Sequence, residues 1–326
     1  MNKEELKIVF LGTPDFAVES LDRLYKGGYN IVGVVTMPDK PAGRGHKLLF
    51  SPVKQYALDH GLHLMQPVSL KSQEFVDELR GLNADLFIVI AFRMLPEIVW
   101  SMPRMGTFNL HASLLPKYRG AAPINWAVIN GDDKTGVTTF FLKHEIDTGD
   151  VIDQVAVDIL PEDNVGTVHD RLMMLGADLT IKTVDRILEG NLSATPQDVL
   201  AGEPTPAPKI FKDTCRIDWT QPAAKIHNLV RGLSPYPAAW TSLVKEGDAE
   251  PLQMKIFETA VGPETVLAPG SIMTDGGKLY IAGADRLLEV RSLQLAGRKR
   301  MSASDFLRGY DLSTSKIQVT ELSEDR

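Results

Sequence analysis

The sequence predicts an α/β chain in two parts, a doubly wound parallel sheet followed by a smaller, mostly antiparallel β-barrel. Buried-strand runs alternate with amphipathic helices through the first two hundred residues, which is typical of a parallel sheet covered on both faces. Beyond a proline-rich segment, strands follow one another with short turns. The length of 326 residues suits two domains of ~150 residues. We therefore expect a Rossmann-like domain at 1–194, a linker at 195–208 and an OB-like barrel domain at 209–326.

The elements of the first part follow from hydrophobic periodicity. Phe16, Ala17, Leu21 and Leu24 share one face of a helix, whereas the strands are near-continuous runs of Val, Ile and Leu. We predict strands at 7–11, 31–35, 62–65, 86–91, 107–111 and 136–142, and helices at 16–25, 52–60 and 165–188. The turn at Gly12 has only one glycine, so the G-x-G-x-x-G fingerprint is absent and NAD-dependent chemistry is a poor alternative.

The second part is predicted from shorter strands and turn signals. Asp275-Gly276-Gly277 is a hairpin signal between two strands, and the spacing of Ser302 and Asp305 fits a capping box that opens a last short helix. We predict a helix at 223–231 and strands at 240–244, 252–261, 271–274, 278–282 and 287–295.

Composition and charge exclude several classes of protein. With 44% hydrophobic and 24% charged residues, the chain is neither disordered nor fibrous. Its longest apolar run, Leu86–Phe92, is too short for a membrane span, and the charged first residues do not form a signal peptide. A single cysteine, Cys215, fits a reducing cytoplasm.

The net charge of −7 argues against a nucleic-acid-binding surface over the whole chain, yet it is unevenly distributed. From Lys209 onward there are 16 Lys and Arg against 15 Asp and Glu, a net of +1, so the preceding part carries −8. The second part also contains the basic run Arg298-Lys299-Arg300.

Two polar residues mark the end of the strand at 107–111. Asn109 and His111 point to the same side of the strand, at the sheet edge where open α/β sheets bind ligands. An acidic loop at 143–150 could return to this edge and place a carboxylate beside His111, which would orient the imidazole and stabilise its charged form. The alternatives are that both residues satisfy nearby backbone groups, and that the loop is a solvated turn. His111, His144, Asp147 and Asp150 match no metal-ligand spacing, so we expect no metal.

A basic loop at 37–51 separates the second strand from the next helix. Its fifteen residues exceed the usual ~2–6 of such connections and include Lys40, Arg44, His46 and Lys47. The loop is either an exposed surface loop or a binding site for an anionic partner, for which phosphates are the natural candidate.

Taken together, these motifs resemble the 10-formyltetrahydrofolate-dependent formyltransferases. The resemblance rests on Asn109-x-His111-x-Ser113-Leu114-Leu115-Pro116, Arg119-Gly120-Ala121-Ala122-Pro123 and Asp147-Thr148-Gly149-Asp150. Pro38-Asp39-Lys40-Pro41-Ala42-Gly43-Arg44-Gly45, Ile217-Asp218-Trp219 and Ala296-Gly297-Arg298-Lys299 are similar to the branch that acts on methionyl-tRNA. Phe92-Arg93-Met94 and Glu145 depart from the pattern of many relatives.

The resemblance implies a function and a set of site residues. The reaction would transfer a formyl group from 10-formyltetrahydrofolate, the co-substrate, to methionine on initiator tRNA. The implied catalytic residues are Asn109, His111 and Asp147. The implied folate-binding residues are Phe92, Arg93, Met94, Leu95, Ser113, Leu114, Leu115 and Pro116. We predict tRNA contacts at Lys40, Arg44, His46, Lys47, Lys209, Lys212, Arg298, Lys299 and Arg300. We expect a monomer with no membrane partner. A sugar-nucleotide formyltransferase and a catalytically silent tRNA-binding protein are the alternatives.

Overall fold

The chain forms two units, described from a computed structural model that covers residues 1–42, 47–247 and 250–319. Contacts assign to the first unit the segments Met1–Pro123, Thr135–Val157 and His169–Ala207. The second unit consists of Ile124–Lys134, Asp158–Val168 and the chain from Pro208 onward.

The strands and helices are bounded as follows. The strands are β1 (Ile8–Gly12), β2 (Ile31–Val35), β3 (Lys40–Ala42), β4 (Lys47–Leu49), β5 (Leu64–Met65), β6 (Leu86–Ile90), β7 (Thr107–His111), β8 (Arg119–Gly120), β9 (Lys134–Phe141), β10 (Val151–Asp158), β11 (Pro206–Ala207), β12 (Ala239–Lys245), β13 (Leu252–Glu264), β14 (Ile272–Asp275), β15 (Lys278–Ala282), β16 (Arg286–Leu295), β17 (Met301–Ser302) and β18 (Ser315–Ile317). The helices are α1 (Asp15–Lys26), α2 (Pro52–Asp59), α3 (Gln73–Gly81), α4 (Glu97–Trp100), α5 (Pro123–Ile129), α6 (Val165–Glu189), α7 (Ala223–Leu233) and α8 (Ala303–Gly309). Short 3₁₀ turns lie at Gln197–Val199 and Asp213–Cys215.

The main sheet of the first unit has the strand order β10-β9-β7-β6-β1-β2-β5. The five strands from β7 to β5 pair in parallel, and β9 pairs antiparallel with β7. Every residue of β1 and β6 is buried, as expected for strands covered on both faces of the sheet. The predicted parallel-dominated Rossmann-like fold is confirmed.

The segment predicted as a basic loop contains a two-stranded antiparallel ribbon, β3 and β4, in which Lys40 is opposite Leu49. The sequence did not predict these strands because each is three residues long and β3 contains Pro41, which normally argues against a strand. Before the ribbon, Asp39 accepts hydrogen bonds from Lys54 Nζ at 2.5 Å and Gln66 Nε2 at 2.9 Å. Asp39 therefore fixes one end of the segment against α2.

We expect the Asp39–Lys54 pair to be lost in acid. The hydrogen bond from Lys54 holds the pKa of the Asp39 carboxyl below its ordinary value of 3.8. A carboxyl whose pKa is depressed by folding stabilises the fold above its unfolded pKa, and that contribution is lost as the pH falls through the depressed value. The urea midpoints of wild type and Asp39→Asn should therefore differ at neutral pH and converge below 3.8.

Asp59→Asn, which removes an exposed carboxylate from α2, is the control for loss of a surface charge. A difference between wild type and Asp39→Asn that stayed constant in acid would contradict this role of Asp39.

The second unit is built on an antiparallel sheet with the order β14-β15-β16-β13-β12-β18, and β17 pairs with β16. Because β14 also approaches β18, the sheet is nearly closed, which confirms the predicted barrel. The predicted hairpin is present: Asp275 pairs with Lys278, and Gly276 and Gly277 between them have φ of +55° and +80°. Trp219, 1% exposed, lies in the core and donates from Nε1 to Thr241 Oγ1 at 3.0 Å.

The two earlier segments of the second unit are bonded to its later part. Asn125 Nδ2 donates to Gly232 O at 2.9 Å, and Arg231 Nη1 donates to Asp163 O at 3.2 Å. These bonds join residues more than sixty positions apart in the sequence. The second unit is therefore not a contiguous piece of the chain.

The segment predicted as a linker makes backbone hydrogen bonds within the first unit. Thr195 exchanges two with Val151, each of 2.8 Å, and β11 pairs in parallel with β8. Pro-rich sequence favours an extended chain, but the N–H and C=O groups of its other residues can still pair. The domain limits at 194 and 208 stay a prediction.

Candidate active site

The candidate site lies at the carboxyl end of β7, between β6 and β9. Asn109 is half-buried and His111 is 7% exposed, while Phe108 and Leu110 alternate with them and are buried in the core. No side-chain hydrogen bond engages the Asn109 amide within the described part of the chain. Its donor group can therefore bind a ligand without first breaking such a bond.

A backbone carbonyl fixes the ring of His111. Nε2 lies 2.8 Å from Tyr118 O, and because a carbonyl can only accept, Nε2 carries a proton. Tyr118 has φ of +62°, a left-handed conformation that is uncommon for a bulky residue. The sequence does not predict this contact, since a backbone carbonyl leaves no signal in residue type. With Nε2 engaged, Nδ1 is the nitrogen left for a reacting group.

The acidic loop returns to the sheet edge and brings Asp147 to His111. Asp147 Oδ2 lies 3.8 Å from His111 Nδ1 and accepts a hydrogen bond of 2.8 Å from Gly120 N. The separation of 3.8 Å is too long for a hydrogen bond, and the two side chains form an ion pair when His111 is protonated. Their side chains are only 8% and 11% exposed, which limits screening by water.

The other titratable residues of the loop are directed elsewhere. Asp150 pairs with Lys143 at 2.7 Å, and His144 Nε2 lies 3.3 Å from Glu97 Oε1. Across residues 1–42, 47–247 and 250–319, no group of three or more His, Cys, Asp or Glu side chains is arranged to hold a metal ion.

The Asp147 turn is closely packed against neighbouring backbone. Asp147 has φ of +55°, and a Cβ at Gly149 would lie 1.5 Å from Phe141 O. The side-chain amide of Gln197 donates to Asp147 O and to Gly149 O, both at 2.8 Å. Gln197 lies in the segment predicted as a linker, so the sequence did not predict its place at the site.

The first predicted folate segment, Ser113–Pro116, is largely buried in the protein. Ser113, Leu115 and Pro116 are buried, Leu114 is half-buried, and the Leu115–Pro116 peptide bond is cis. Leu114 is therefore the most accessible of the four side chains.

Two polar side chains hold the backbone of this segment. Thr138 Oγ1 donates to Ser113 O at 2.6 Å and accepts from Leu115 N at 3.2 Å. Gln154 Nε2 donates to Leu115 O at 2.8 Å. The segment is therefore preorganised by the protein itself.

The second predicted folate segment follows β6, and its four side chains differ in how deeply they are buried. Arg93 donates to Val68 O at 2.9 Å and to Pro67 O, and burial lowers the pKa of its guanidinium. Leu95 is 7% exposed and packs in the core, whereas Met94 is 74% exposed and Phe92 is half-buried. Arg93 and Leu95 thus stabilise the fold at this strand end.

The predicted tRNA residues of the first unit belong to the basic loop. Lys40 lies in β3 and Lys47 in β4, where it pairs with Ala42. Arg44 and His46 lie outside the described residues.

In the second unit, two predicted tRNA residues stand beside aromatic rings. Lys209 and Lys212 are exposed, with Nζ 5.7 Å from the centre of the Phe211 ring and 5.6 Å from that of Trp240, respectively. Phe211 is 62% exposed. This pairing of cations with aromatic rings is typical of surfaces that bind nucleic-acid backbone and unpaired bases.

The other three predicted tRNA residues lie in the exposed turn between β16 and β17. Arg298 and Lys299 are exposed, as is Arg300, whose guanidinium donates to Ser292 Oγ at 2.8 Å and to Glu258. Arg300 therefore has a carboxylate partner already.

Comparisons with known proteins identify the class. A model described as formyl transferase matches residues 6–184, and one described as formyl transferase, C-terminal domain, matches residues 209–311. The chain belongs to the formyltransferase family. A methionyl-tRNA formyltransferase of Bacteroides fragilis is 63% identical, covering 96% of this chain and 98% of its own. A protein of the same name from Bacteroides thetaiotaomicron is 60% identical, again covering 96% and 98%.

Solved structures show the same fold at lower identity. The N-formyltransferase of Helicobacter canadensis, in complex with folinic acid and dTDP-3-aminofucose, has a TM-score of 0.64 and 20% identity. The similarity covers 87% of this chain and 98% of that one.

Among the helices that the structure describes, none combines the length and the apolar character needed to cross a membrane.

Proposed function

We propose that the chain transfers a formyl group from 10-formyltetrahydrofolate to the α-amino group of methionyl initiator tRNA, in support of translation initiation. The observation that carries the chemistry is the pair of His111 and Asp147 beside Asn109 at the end of β7. The choice of substrate is supported by relatives of 60–63% identity that carry this activity in their names. We further propose that the chain acts as a monomer in the cytoplasm, where translation initiates.

Three side chains divide the chemistry among them. The neutral amine attacks the formyl carbon directly, so no covalent intermediate with the enzyme is required. Attack creates an oxyanion, to which the Asn109 amide and a protonated His111 Nδ1 donate hydrogen bonds. Asp147 stabilises the charged ring. As the bond from carbon to N10 breaks, His111 Nδ1 gives its proton to N10, and the neutral ring then takes a proton from the nitrogen that attacked, so the proton lost by one nitrogen is gained by the other and His111 ends as it began.

The folate co-substrate would lie between two strand ends of the first unit. The backbone of Ser113–Pro116 is held by Thr138 and Gln154, and Leu114, Phe92 and Met94 provide the accessible apolar surface. An apolar wall with a rigid, polar backbone edge suits a flat heteroaromatic ring. We propose no metal in this reaction.

Recognition of tRNA is assigned to both units. The basic loop would reach the acceptor end, where unpaired bases permit discrimination, and the domain at 209–326 would hold the tRNA backbone. Arg298 and Lys299 are better placed for phosphate contacts than Arg300, which would first have to release Glu258.

Replacing Arg44 with alanine should impair the use of tRNA and leave folate binding unchanged. The change removes a cation from the basic loop, and each lost phosphate contact also reduces the salt dependence of tRNA binding by about one unit of slope. The measurements are KM for tRNA, its salt dependence, and the Kd of a folate analogue. Arg80→Ala, which removes an exposed arginine from α3, is the matched control. Equal loss of both substrates would contradict the role of Arg44.

One assay tests the proposed function as a whole. The chain is incubated with 10-formyltetrahydrofolate and initiator methionyl-tRNA, elongator methionyl-tRNA or a nucleotide-linked amino sugar. We expect formylation of initiator methionyl-tRNA above the other two. Preferential formylation of the sugar would overturn the proposal in favour of a sugar-nucleotide formyltransferase, and binding of tRNA without transfer would indicate a silent tRNA-binding protein.

A further inference from the structure

The segment from Thr195 to Ala207 runs beside the residues that hold His111. Thr205 accepts from Tyr118 N through Oγ1 and from Arg119 N through its carbonyl, both at 2.9 Å. Ala207 O accepts from Ala121 N at 2.8 Å. Tyr118 is the residue whose carbonyl fixes the His111 ring, so this segment borders the site over several residues.

Gln197 is the buried side chain through which the segment reaches the Asp147 turn. It is 5% exposed, and Nε2 donates to two carbonyl oxygens, those of Asp147 and Gly149. Its Oε1 accepts from Arg119 Nε at 3.2 Å and Nη2 at 2.7 Å. Because a guanidinium can only donate and a carbonyl can only accept, these partners determine which end of the amide faces the turn.

The turn depends on such a donor for two reasons. Asp147 has a left-handed backbone that non-glycine residues adopt sparsely, so surrounding contacts must hold it. The carbonyls of Asp147 and Gly149 also need hydrogen-bond partners in a buried setting, and both are supplied by one side chain. The position of the Asp147 carboxylate follows from the conformation of this turn.

We propose that Gln197 is a positioning residue for formyl transfer, whose amide, oriented by Arg119, holds the Asp147–Gly149 turn so that the Asp147 carboxylate stays beside His111. This inference rests on the proposed function, because Gln197 acts only through Asp147 and His111. The segment around it is then part of the catalytic apparatus of the first unit.

Gln197→Glu tests the donor role with almost no change of size. The carboxylate can still accept from Arg119, but it places an oxygen without a proton against two carbonyl oxygens. We expect kcat to fall by about 10–100-fold, the effect of a small misplacement of a reacting group, while KM for folate and for tRNA changes by less than about twofold. Gln197→Met keeps a similar side-chain volume but lacks the amide donor and acceptor. Its kcat should fall by the same factor, and it replaces Gln197→Glu in the test if that variant does not fold.

Asp198→Asn is the matched control, since it changes the exposed neighbour in the same 3₁₀ turn. It should keep the kcat of the wild type. Thermal unfolding of each variant shows that the compared proteins are folded.

A double variant separates positioning from general stability. If Gln197 acts through the Asp147 carboxylate, adding Gln197→Glu to Asp147→Asn should lower kcat by less than about threefold further, because the group being positioned is already gone. Full multiplication of the two effects would overturn the inference, as would wild-type kcat in both Gln197 variants. If His111→Ala and Asp147→Asn themselves retain the wild-type rate of formyl transfer in a single turnover, the catalytic roles of His111 and Asp147 fail, and this inference fails with them. The proposed function fails separately, if the wild-type protein does not formylate methionyl initiator tRNA.

Discussion

Replacing His111 with alanine should lower kcat by about 10²–10⁴-fold, the usual contribution of a positioned proton-transfer group. The variant loses both the proton carrier and one donor to the oxyanion, while Asn109 remains. The rate of formyl transfer in a single turnover is the appropriate measurement, because it excludes product release.

Two further variants test whether proton transfer is the role of His111. His111→Gln keeps a donor near Tyr118 O but cannot carry a proton between substrates, so its rate should stay close to that of His111→Ala. His63→Ala, which removes an exposed histidine paired with Glu78, should transfer at the wild-type rate. Near wild-type transfer by folded His111→Ala would contradict the assigned role.

Replacing Gly149 with alanine should damage both stability and catalysis. A Cβ at this position would lie 1.5 Å from Phe141 O, so the backbone of the turn must move. We expect a loss of about 3 kcal/mol in the free energy of unfolding, the upper part of the usual range for overpacking. Because Asp147 lies in the same turn, kcat should fall by about 10²-fold as well. Urea unfolding and single-turnover transfer measure the two effects.

Gly81→Ala provides the matched glycine control. Nothing lies within 4 Å of a Cβ built at Gly81, at the end of α3. Alanine there should raise the free energy of unfolding by about 0.5–1 kcal/mol, since it lowers the entropy of the unfolded chain. If Gly149→Ala behaved in the same way as Gly81→Ala, the tight packing of the turn would be disproved.

Features with a local cause could be predicted from the sequence. The strand at Thr107–His111, the hairpin at Gly276-Gly277 and the capping serine at Ser302 each depend on neighbouring residues, and the structure confirms all three. The helix α3 was missed, although its buried Phe75 and Leu79 have helical spacing.

Features that join distant parts of the chain could not be predicted in this way. The meeting of strand ends at one edge of a sheet predicted a carboxylate of the loop at 143–150 near His111, and only the family resemblance singled out Asp147. The partner of His111 Nε2 is the backbone carbonyl of Tyr118, which residue type does not reveal. Gln197 was hidden in a proline-rich segment whose composition indicates a linker. Its role depends on bonds to residues about fifty and eighty positions away, which periodicity does not record.

The discontinuous second unit has a consequence for inheritance of the gene. The barrel takes part of its structure from segments encoded in the first half, as when Trp126 Nε1 donates to Pro208 O at 2.8 Å. A gene fragment that begins at codon 208 would encode the barrel without those two segments. The segments, left in the other fragment, would lack the hydrogen-bond partners that the barrel part supplies. The chain from Pro208 onward is therefore not a self-contained module that could be exchanged by itself.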